Sequence, residues 1–106
     1  MCGITGYIGT NNAAPILLQS LKRMEYRGYD SAGIATIHEN KLIVKKGIGR
    51  IDIINKDINF KNMSGKTGIA HTRWATHGSV TEENSHPHKS CNDKVVIVHN
   101  LSLIHI

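Results

Sequence analysis

The sequence predicts a single α+β domain, and three observations lead to this prediction. The chain has 106 residues, a length that suits one domain at most and is small for a self-sufficient core. Hydrophobic residues make up 40% of it and charged residues 20%, proportions typical of soluble globular proteins. Segments with strand and helix periodicity alternate without repeats, low-complexity stretches or linkers. The predicted order is strand, helix, two strands, helix, strand, loop and strand.

The first elements are a strand and an amphipathic helix. Residues 3–9 are predicted to form a short strand that starts almost at the terminus. Asn12 is a suitable helix N-cap, and residues 13–25 follow as a helix with Pro15 tolerated in its first turn. The apolar stripe of this helix consists of Ile16, Leu17, Leu21 and Met24. Residues 26–31 form a polar loop.

The next elements are a hairpin and a segment of mixed character. Residues 32–38 and 41–46 alternate as two strands joined by a turn at Glu39 and Asn40. Residues 51–58 are ambiguous, because their isoleucines fit a short helix at least as well as a strand. The remaining segments are a loop at 59–65, a strand at 68–73 and a near-continuous apolar, buried strand at 94–99.

Charge and hydropathy exclude several classes of protein. The net charge is +5, but the basic residues are scattered among apolar and acidic ones, and no RNA-binding motif is present. We therefore expect solvated surface charge and no nucleic-acid partner. No apolar run approaches membrane-spanning length and no signal peptide is evident, so we expect a cytoplasmic protein without a membrane partner. In that reducing compartment, Cys2 and Cys91 are not expected to form a disulfide.

Cys2 is a candidate nucleophile because it directly follows the initiator Met1. Methionine is readily removed before a small residue, and Cys2 then carries a thiol and a free α-amine. The unperturbed pKa of the amine is about 7.7–8.0 and that of the thiol about 8.5. One residue can therefore supply both the nucleophile and the base that activates it. A cysteine at the second position by chance is the alternative.

Two glycine-containing polar segments are candidate binding loops. The first, residues 26–33, holds Arg27 and Asp30, which can either pair with each other or receive a zwitterionic ligand. The second, residues 71–78, holds Arg73, whose planar fork suits bidentate recognition of a carboxylate. Thr76 and His77 offer further polar contacts there, and Trp74 can cover the site. Gly78 lets the backbone turn freely.

The histidines do not predict a metal site. A cluster is superficially suggested by His71, His77, His86, His88 and Cys91. However, Pro87 separates two of the histidines, and no second Cys-x2-Cys pair completes a standard zinc pattern. We expect no metal and no other cofactor.

Asn100 is a candidate donor to an oxyanion. It ends the apolar segment 95–99, and a side-chain amide there can stabilise a tetrahedral intermediate in acyl transfer. The alternative is an ordinary turn residue at the end of a strand.

The motifs together resemble one enzyme family. They are Met-Cys-Gly-Ile at the start, Tyr-Arg-Gly-Tyr-Asp-Ser-Ala-Gly at 26–33, Gly-Ile-Ala-His-Thr-Arg-Trp-Ala-Thr-His-Gly at 68–78, Asn-Ser-His-Pro-His at 84–88 and Val-His-Asn at 98–100. Residues 1–100 are similar to the glutaminase domain of glutamine–fructose-6-phosphate aminotransferases (isomerizing), the glucosamine-6-phosphate synthases. The resemblance implies a truncated N-terminal-nucleophile hydrolase fold, an αββα sandwich.

The resemblance also implies a reaction and a role for each candidate residue. Cys2 would release ammonia from glutamine, with Asn100 as the oxyanion donor. Arg73 would bind the α-carboxylate of glutamine, and Thr76 and His77 would lie in the substrate-binding loop. Supporting roles would fall to Arg27, which orders the N-terminus, and to Trp74, which helps to gate an ammonia channel. The full-length enzyme would be a homo-oligomer whose isomerase domain converts fructose 6-phosphate to glucosamine 6-phosphate.

The chain departs from the family after Asn100. The family continues Gly-Ile-Ile-Glu-Asn, whereas residues 101–106 read Leu-Ser-Leu-Ile-His-Ile. The sequencing adaptor CTGTCTCTTATACACATC encodes this hexapeptide, so we expect a non-native tail and an inactive isolated fragment. Two alternatives stay open: a related amidotransferase with another ammonia acceptor, and a catalytically dead binding module.

Overall fold

The computed structural model describes residues 3–24, 28, 30–73, 87–90 and 95–98. In chain order the elements are β1 (Gly3–Ile8), α1 (Ala13–Arg23), β2 (Ser31–His38), β3 (Lys41–Ile48), α2 (Ile51–Ile58), a 3-10 turn (Phe60–Asn62), β4 (Thr67–Arg73), β5 (His88–Lys89) and β6 (Val96–Ile97). The α+β class is confirmed, and so is the predicted order of elements except for β5, which lies in the predicted loop. Within these residues, no helix has the length and apolar character needed to cross a membrane.

Four of the strands form one antiparallel sheet in the order β1-β4-β2-β3. Thr72 of β4 pairs with Gly3 of β1 on one side and with Ala32 of β2 on the other, and Ala32 pairs with Gly47 of β3. The start of β1, the end of β4, the start of β2 and the end of β3 therefore meet. We call this the Gly3 end of the sheet.

The core lies between α1 and one face of the sheet. Leu17, Leu18 and Leu21 of α1 are fully buried there with Ile34 and Ala70 of the sheet. Each such leucine contributes about 1.5–3 kcal/mol relative to an exposed position. Helix and sheet approach closely at Gly68, where an added Cβ would lie 2.8 Å from Leu17 Cδ1 and 2.6 Å from the Ala35 carbonyl oxygen.

The opposite face of the sheet carries apolar side chains that are largely exposed. Because side chains alternate along a strand, this face receives Ile4, Ile8, Ile37 and Ile48, whose exposure ranges from 46% to 82%. In an αββα sandwich this face packs against the second sheet. Among the described residues, Pro87, directly before β5, contacts this face through Lys46.

The structure resolves one local expectation and corrects two others. The ambiguous segment is the helix α2, which buries Ile51 and Ile54 one turn apart. At the N-cap of α1 the Asn12 side chain makes no capping hydrogen bond, and the third helical residue, Pro15, has no N–H to donate to it. The Ala13 N–H donates to the carbonyl oxygen of Gly65 at 2.8 Å. The predicted buried strand at 94–99 is wrong in extent and burial within the described residues. There β6 has only two residues and one neighbour, and Val95 and Ile97 are more than half exposed.

Candidate active site at one end of the sheet

Arg73 is the predicted site residue that the structure describes. The other six are Cys2, Arg27, Trp74, Thr76, His77 and Asn100, and they lie outside the described residues. Arg73 ends β4 at the Gly3 end of the sheet, and only 6% of it is exposed. A guanidinium at such depth needs anionic or hydrogen-bonding partners to offset its lost hydration. This position suits the binding of a carboxylate.

Two loop residues and a strand fix the main chain of Arg73. The Asp30 N–H donates to the Arg73 carbonyl oxygen at 2.8 Å, and the Asp30 carbonyl oxygen accepts from the Gly49 N–H at 2.9 Å. Ser31, the next residue, is the Cα partner of Arg73 across β2 and β4. The backbone of Arg73 is thereby held from the side of β2.

The start of β1 is fastened to the residue before Arg73. The Gly3 N–H donates to Thr72 Oγ1 at 3.1 Å, and this bond is buried. A side chain at Gly3 would force its neighbours to shift, because a Cβ there would lie 2.5 Å from Met24 Sδ and 2.9 Å from Thr72 Oγ1. Gly3 directly follows Cys2 in the sequence, and Thr72 directly precedes Arg73. The contact therefore joins the chain segments that carry two of the predicted site residues.

A further group of basic side chains lies beside Arg73. The pKa of His88 is lowered from its ordinary value by burial, and further by the positive charges of Lys46 and Arg73. The Lys46 ammonium donates to the carbonyl oxygen of Pro87 at 3.3 Å, and Pro87 is fully buried. Lys46, Arg73 and His88 are therefore near enough to one another to interact electrostatically at this end of the sheet.

Sequence reasoning missed the parts played by Lys46, Thr72 and Ser31. Nothing in the sequence distinguishes Lys46 from the other lysines, and neither the rejected metal cluster nor the motif at 84–88 indicates that His88 lies near Lys46 and Arg73. Ser31 is fully buried, and in the described part of the chain its hydroxyl has no hydrogen-bond partner. Among the described residues, no group of three or more His, Cys, Asp or Glu side chains is arranged to hold a metal ion.

The architecture is that of the N-terminal-nucleophile hydrolases. It matches a B. subtilis glutamine phosphoribosylpyrophosphate amidotransferase complexed with ADP and GMP, with a TM-score of 0.72 and 29% identity over 88% of this chain and 20% of that one. It also matches the allosteric regulatory enzyme of purine biosynthesis, with a TM-score of 0.73 and 30% identity over the same shares. The predicted fold class is thus confirmed.

Sequence comparison narrows the class to one family. No protein-family model matches the chain. Glutamine–fructose-6-phosphate aminotransferases (isomerizing) match 94% of it, with 56% identity in Pyrococcus horikoshii and 54% in both Methanococcus maripaludis and Aquifex aeolicus. The chain spans 16–17% of the length of these relatives. It corresponds to their N-terminal glutaminase part, which confirms the resemblance indicated by the motifs.

Proposed function

We propose that this chain is the glutamine-hydrolysing part of a glutamine–fructose-6-phosphate aminotransferase. The thiolate of Cys2 attacks the carboxamide carbon of glutamine while the N-terminal amine holds the thiol proton. The C–N bond breaks, the nitrogen takes that proton and leaves as ammonia, and a γ-glutamyl thioester remains. Water then cleaves the C–S bond, releasing glutamate and restoring Cys2. In the full-length enzyme the ammonia converts fructose 6-phosphate to glucosamine 6-phosphate.

The hydrogen bond between Gly3 and Thr72 is the observation that carries this proposal. This bond joins Gly3, which follows Cys2 in the sequence, to Thr72, which precedes Arg73. Consecutive Cα atoms are about 3.8 Å apart, so connectivity keeps the nucleophile in the neighbourhood of Arg73. Arg73 then holds the α-carboxylate of glutamine by a bidentate contact, while the side-chain carboxamide of the same glutamine reaches Cys2.

The remaining predicted site residues complete the proposal. Asn100 donates to the oxyanion of the tetrahedral intermediate. Thr76 and His77 belong to the loop that binds glutamine, Trp74 helps to gate the ammonia channel, and Arg27 orders the N-terminus. The proposal also includes a cytoplasmic location, a homo-oligomeric full-length enzyme, and no nucleic-acid or membrane partner.

The alternative acceptor is phosphoribosylpyrophosphate, since one structural neighbour is a glutamine phosphoribosylpyrophosphate amidotransferase. Sequence identity favours fructose 6-phosphate as the acceptor. The identity is 56% with the Pyrococcus horikoshii aminotransferase and 29% with the phosphoribosylpyrophosphate amidotransferase. Formation of glucosamine 6-phosphate from glutamine and fructose 6-phosphate by the full-length chain separates the two acceptors.

We further propose that residues 101–106 are a non-native tail. The first relative aligns over 100 residues, so 106 − 100 leaves six unmatched. Reading the nucleotides that encode residues 101–106 tests this proposal, and codons that differ from the adaptor sequence would contradict it. We also propose that the 106 residues alone do not hydrolyse glutamine usefully, because the exposed isoleucine face of the sheet favours aggregation.

Covalent labelling tests the proposed function. A glutamine analogue that carries an electrophilic ketone in place of the carboxamide should add once to the full-length chain, at Cys2. Peptide mass spectrometry locates the adduct, and excess glutamine should protect against it. A full-length chain that retains Met1 should label far more slowly, because its α-amine is tied up in a peptide bond. In a second experiment, the γ-glutamyl thioester formed from glutamine itself is trapped, and it should also be located at Cys2. Labelling at another residue would contradict the proposal.

Thr72→Val should slow glutamine hydrolysis in the full-length chain. Valine matches threonine in shape but offers no acceptor to the Gly3 N–H, so the start of β1 loses its buried anchor. Small misplacements of a nucleophile cost on the order of 10- to 100-fold in kcat, and we expect a loss near the lower figure with a smaller change in KM. Thr67→Val, an exposed change in the same strand, is the control. Unchanged kcat in Thr72→Val would show that this anchor is dispensable.

A further inference from the structure

The buried hydroxyl of Ser31 has an unusual position. Ser31 is the first residue of β2, is fully buried, and its Oγ has no hydrogen-bond partner in the part of the chain that the structure describes. Buried hydroxyls are ordinarily hydrogen-bonded, because an unmet donor or acceptor loses its hydration without compensation. Thr36 in the same strand follows that rule, since its Oγ1 donates to the Ser64 carbonyl oxygen at 2.7 Å.

The register of the sheet sets Ser31 directly beside Arg73. The two residues are Cα partners across β2 and β4, and directly opposed residues of antiparallel strands place their side chains on the same face, with Cβ atoms about 4.5–5.5 Å apart. The guanidinium offers five N–H donors, and a serine hydroxyl is a small acceptor. The backbone of Arg73 is fixed from the side of β2 by strand pairing and by the bond from the Asp30 N–H to the Arg73 carbonyl oxygen. Adjustment is therefore left to the Arg73 side chain.

We propose that Ser31 is a positioning residue for Arg73 in glutamine binding, an inference that rests on the proposed function. In the complex with glutamine, Ser31 Oγ accepts one N–H of the Arg73 guanidinium. The remaining N–H groups of the fork then point at the α-carboxylate in a fixed plane. The serine acts on affinity for glutamine through Arg73 and takes no part in the chemistry at Cys2.

The test is Ser31→Ala in a full-length chain that carries residues 1–100. We expect the glutamine KM to rise about tenfold, the scale of one hydrogen bond to a charged group, with kcat nearly unchanged. The unfolding midpoint without glutamine should stay the same or rise, because a hydroxyl without a partner has been removed. Alkylation of Cys2 by iodoacetamide, which has no α-carboxylate, should keep its rate.

Thr36→Val is the matched control. It removes a buried hydroxyl from the same strand, but this hydroxyl has a hydrogen-bond partner. Thr36 lies about 17 Å from Ser31 along β2, at about 3.4 Å per residue. It should lower the unfolding midpoint and leave the glutamine KM unchanged. The two variants are thus expected to give opposite patterns.

A double-mutant cycle tests whether Ser31 acts through Arg73. Combined with Arg73→Lys, Ser31→Ala should raise KM no further than Arg73→Lys alone, because the group it positions is already gone. An unchanged KM in Ser31→Ala, or fully additive effects, would overturn the inference while leaving the proposed function intact. A parent chain that neither hydrolyses glutamine nor labels at Cys2 would overturn both.

Discussion

Replacing Cys2 by serine in the full-length chain should abolish glutamine hydrolysis, with a loss on the order of 10³-fold or more in kcat. A serine hydroxyl is far less ionised and less nucleophilic than a thiol, and the neighbouring amine cannot make up the difference. Formation of glucosamine 6-phosphate from added ammonia should persist, because that reaction needs no glutaminase. Ammonia release and ammonia-dependent product formation, measured separately, give the two readouts.

A second variant separates the thiol from the amine. An N-terminal extension that cannot be removed keeps the Cys2 thiol but converts its α-amine to a peptide bond. It should also abolish glutamine hydrolysis and spare the ammonia-dependent reaction. Cys91→Ser is the control for loss of a thiol as such and should keep both activities. Glutaminase activity retained in the serine variant or in the extended chain would refute the role assigned to the N-terminus.

Arg73→Lys should raise the KM for glutamine by roughly 10- to 100-fold, because an ammonium cannot reproduce a bidentate, charge-assisted contact. The buried position of Arg73 at the end of β4 makes the loss larger than at a solvated site. Steady-state kinetics provide the measurement, and the rate of Cys2 alkylation by iodoacetamide should change far less.

Arg50→Lys is the control for this prediction, since Arg50 is exposed and precedes α2. It should leave the KM for glutamine as it is. An unaltered KM in Arg73→Lys would mean that the buried guanidinium has a structural role.

Local elements of the fold could be predicted because their signals are local. The hairpin of β2 and β3 turns at Glu39 and Asn40 as expected, and both adopt positive φ, 50° and 64°. Leu17 and Leu21 of the predicted stripe of α1 are buried, but Ile16 is only half-buried, and Leu18, which the stripe omitted, is fully buried. The helix ends at Arg23, two residues early. By contrast, the apolar run near residue 96 predicted a longer strand than is formed, because strand length depends on partners that hydropathy does not reveal.

The sequence indicates candidate residues for the site by their chemistry, but it does not indicate the contacts that hold Arg73. Arg73 was singled out because of the chemistry of its side chain and its motif. The contacts that position it join distant segments: Gly3 meets Thr72 across 69 positions, and Lys46 meets Pro87 across 41. Such pairings follow from strand register, which a single sequence does not specify. Ser31 could therefore be recognised only once β2 and β4 were aligned.

The 69-position separation of Gly3 and Thr72 has a consequence for events during translation. At about 5–20 residues per second, synthesis of that stretch takes roughly 3–14 s. In the described part of the chain β4 is the strand that pairs with β1, so this pairing waits until β4 emerges. The new terminus therefore stays accessible for several seconds, and we expect the aminopeptidase to remove Met1 in this interval. We therefore expect the position of β4 in the chain to place removal of Met1 before the pairing of β1 next to the proposed nucleophile.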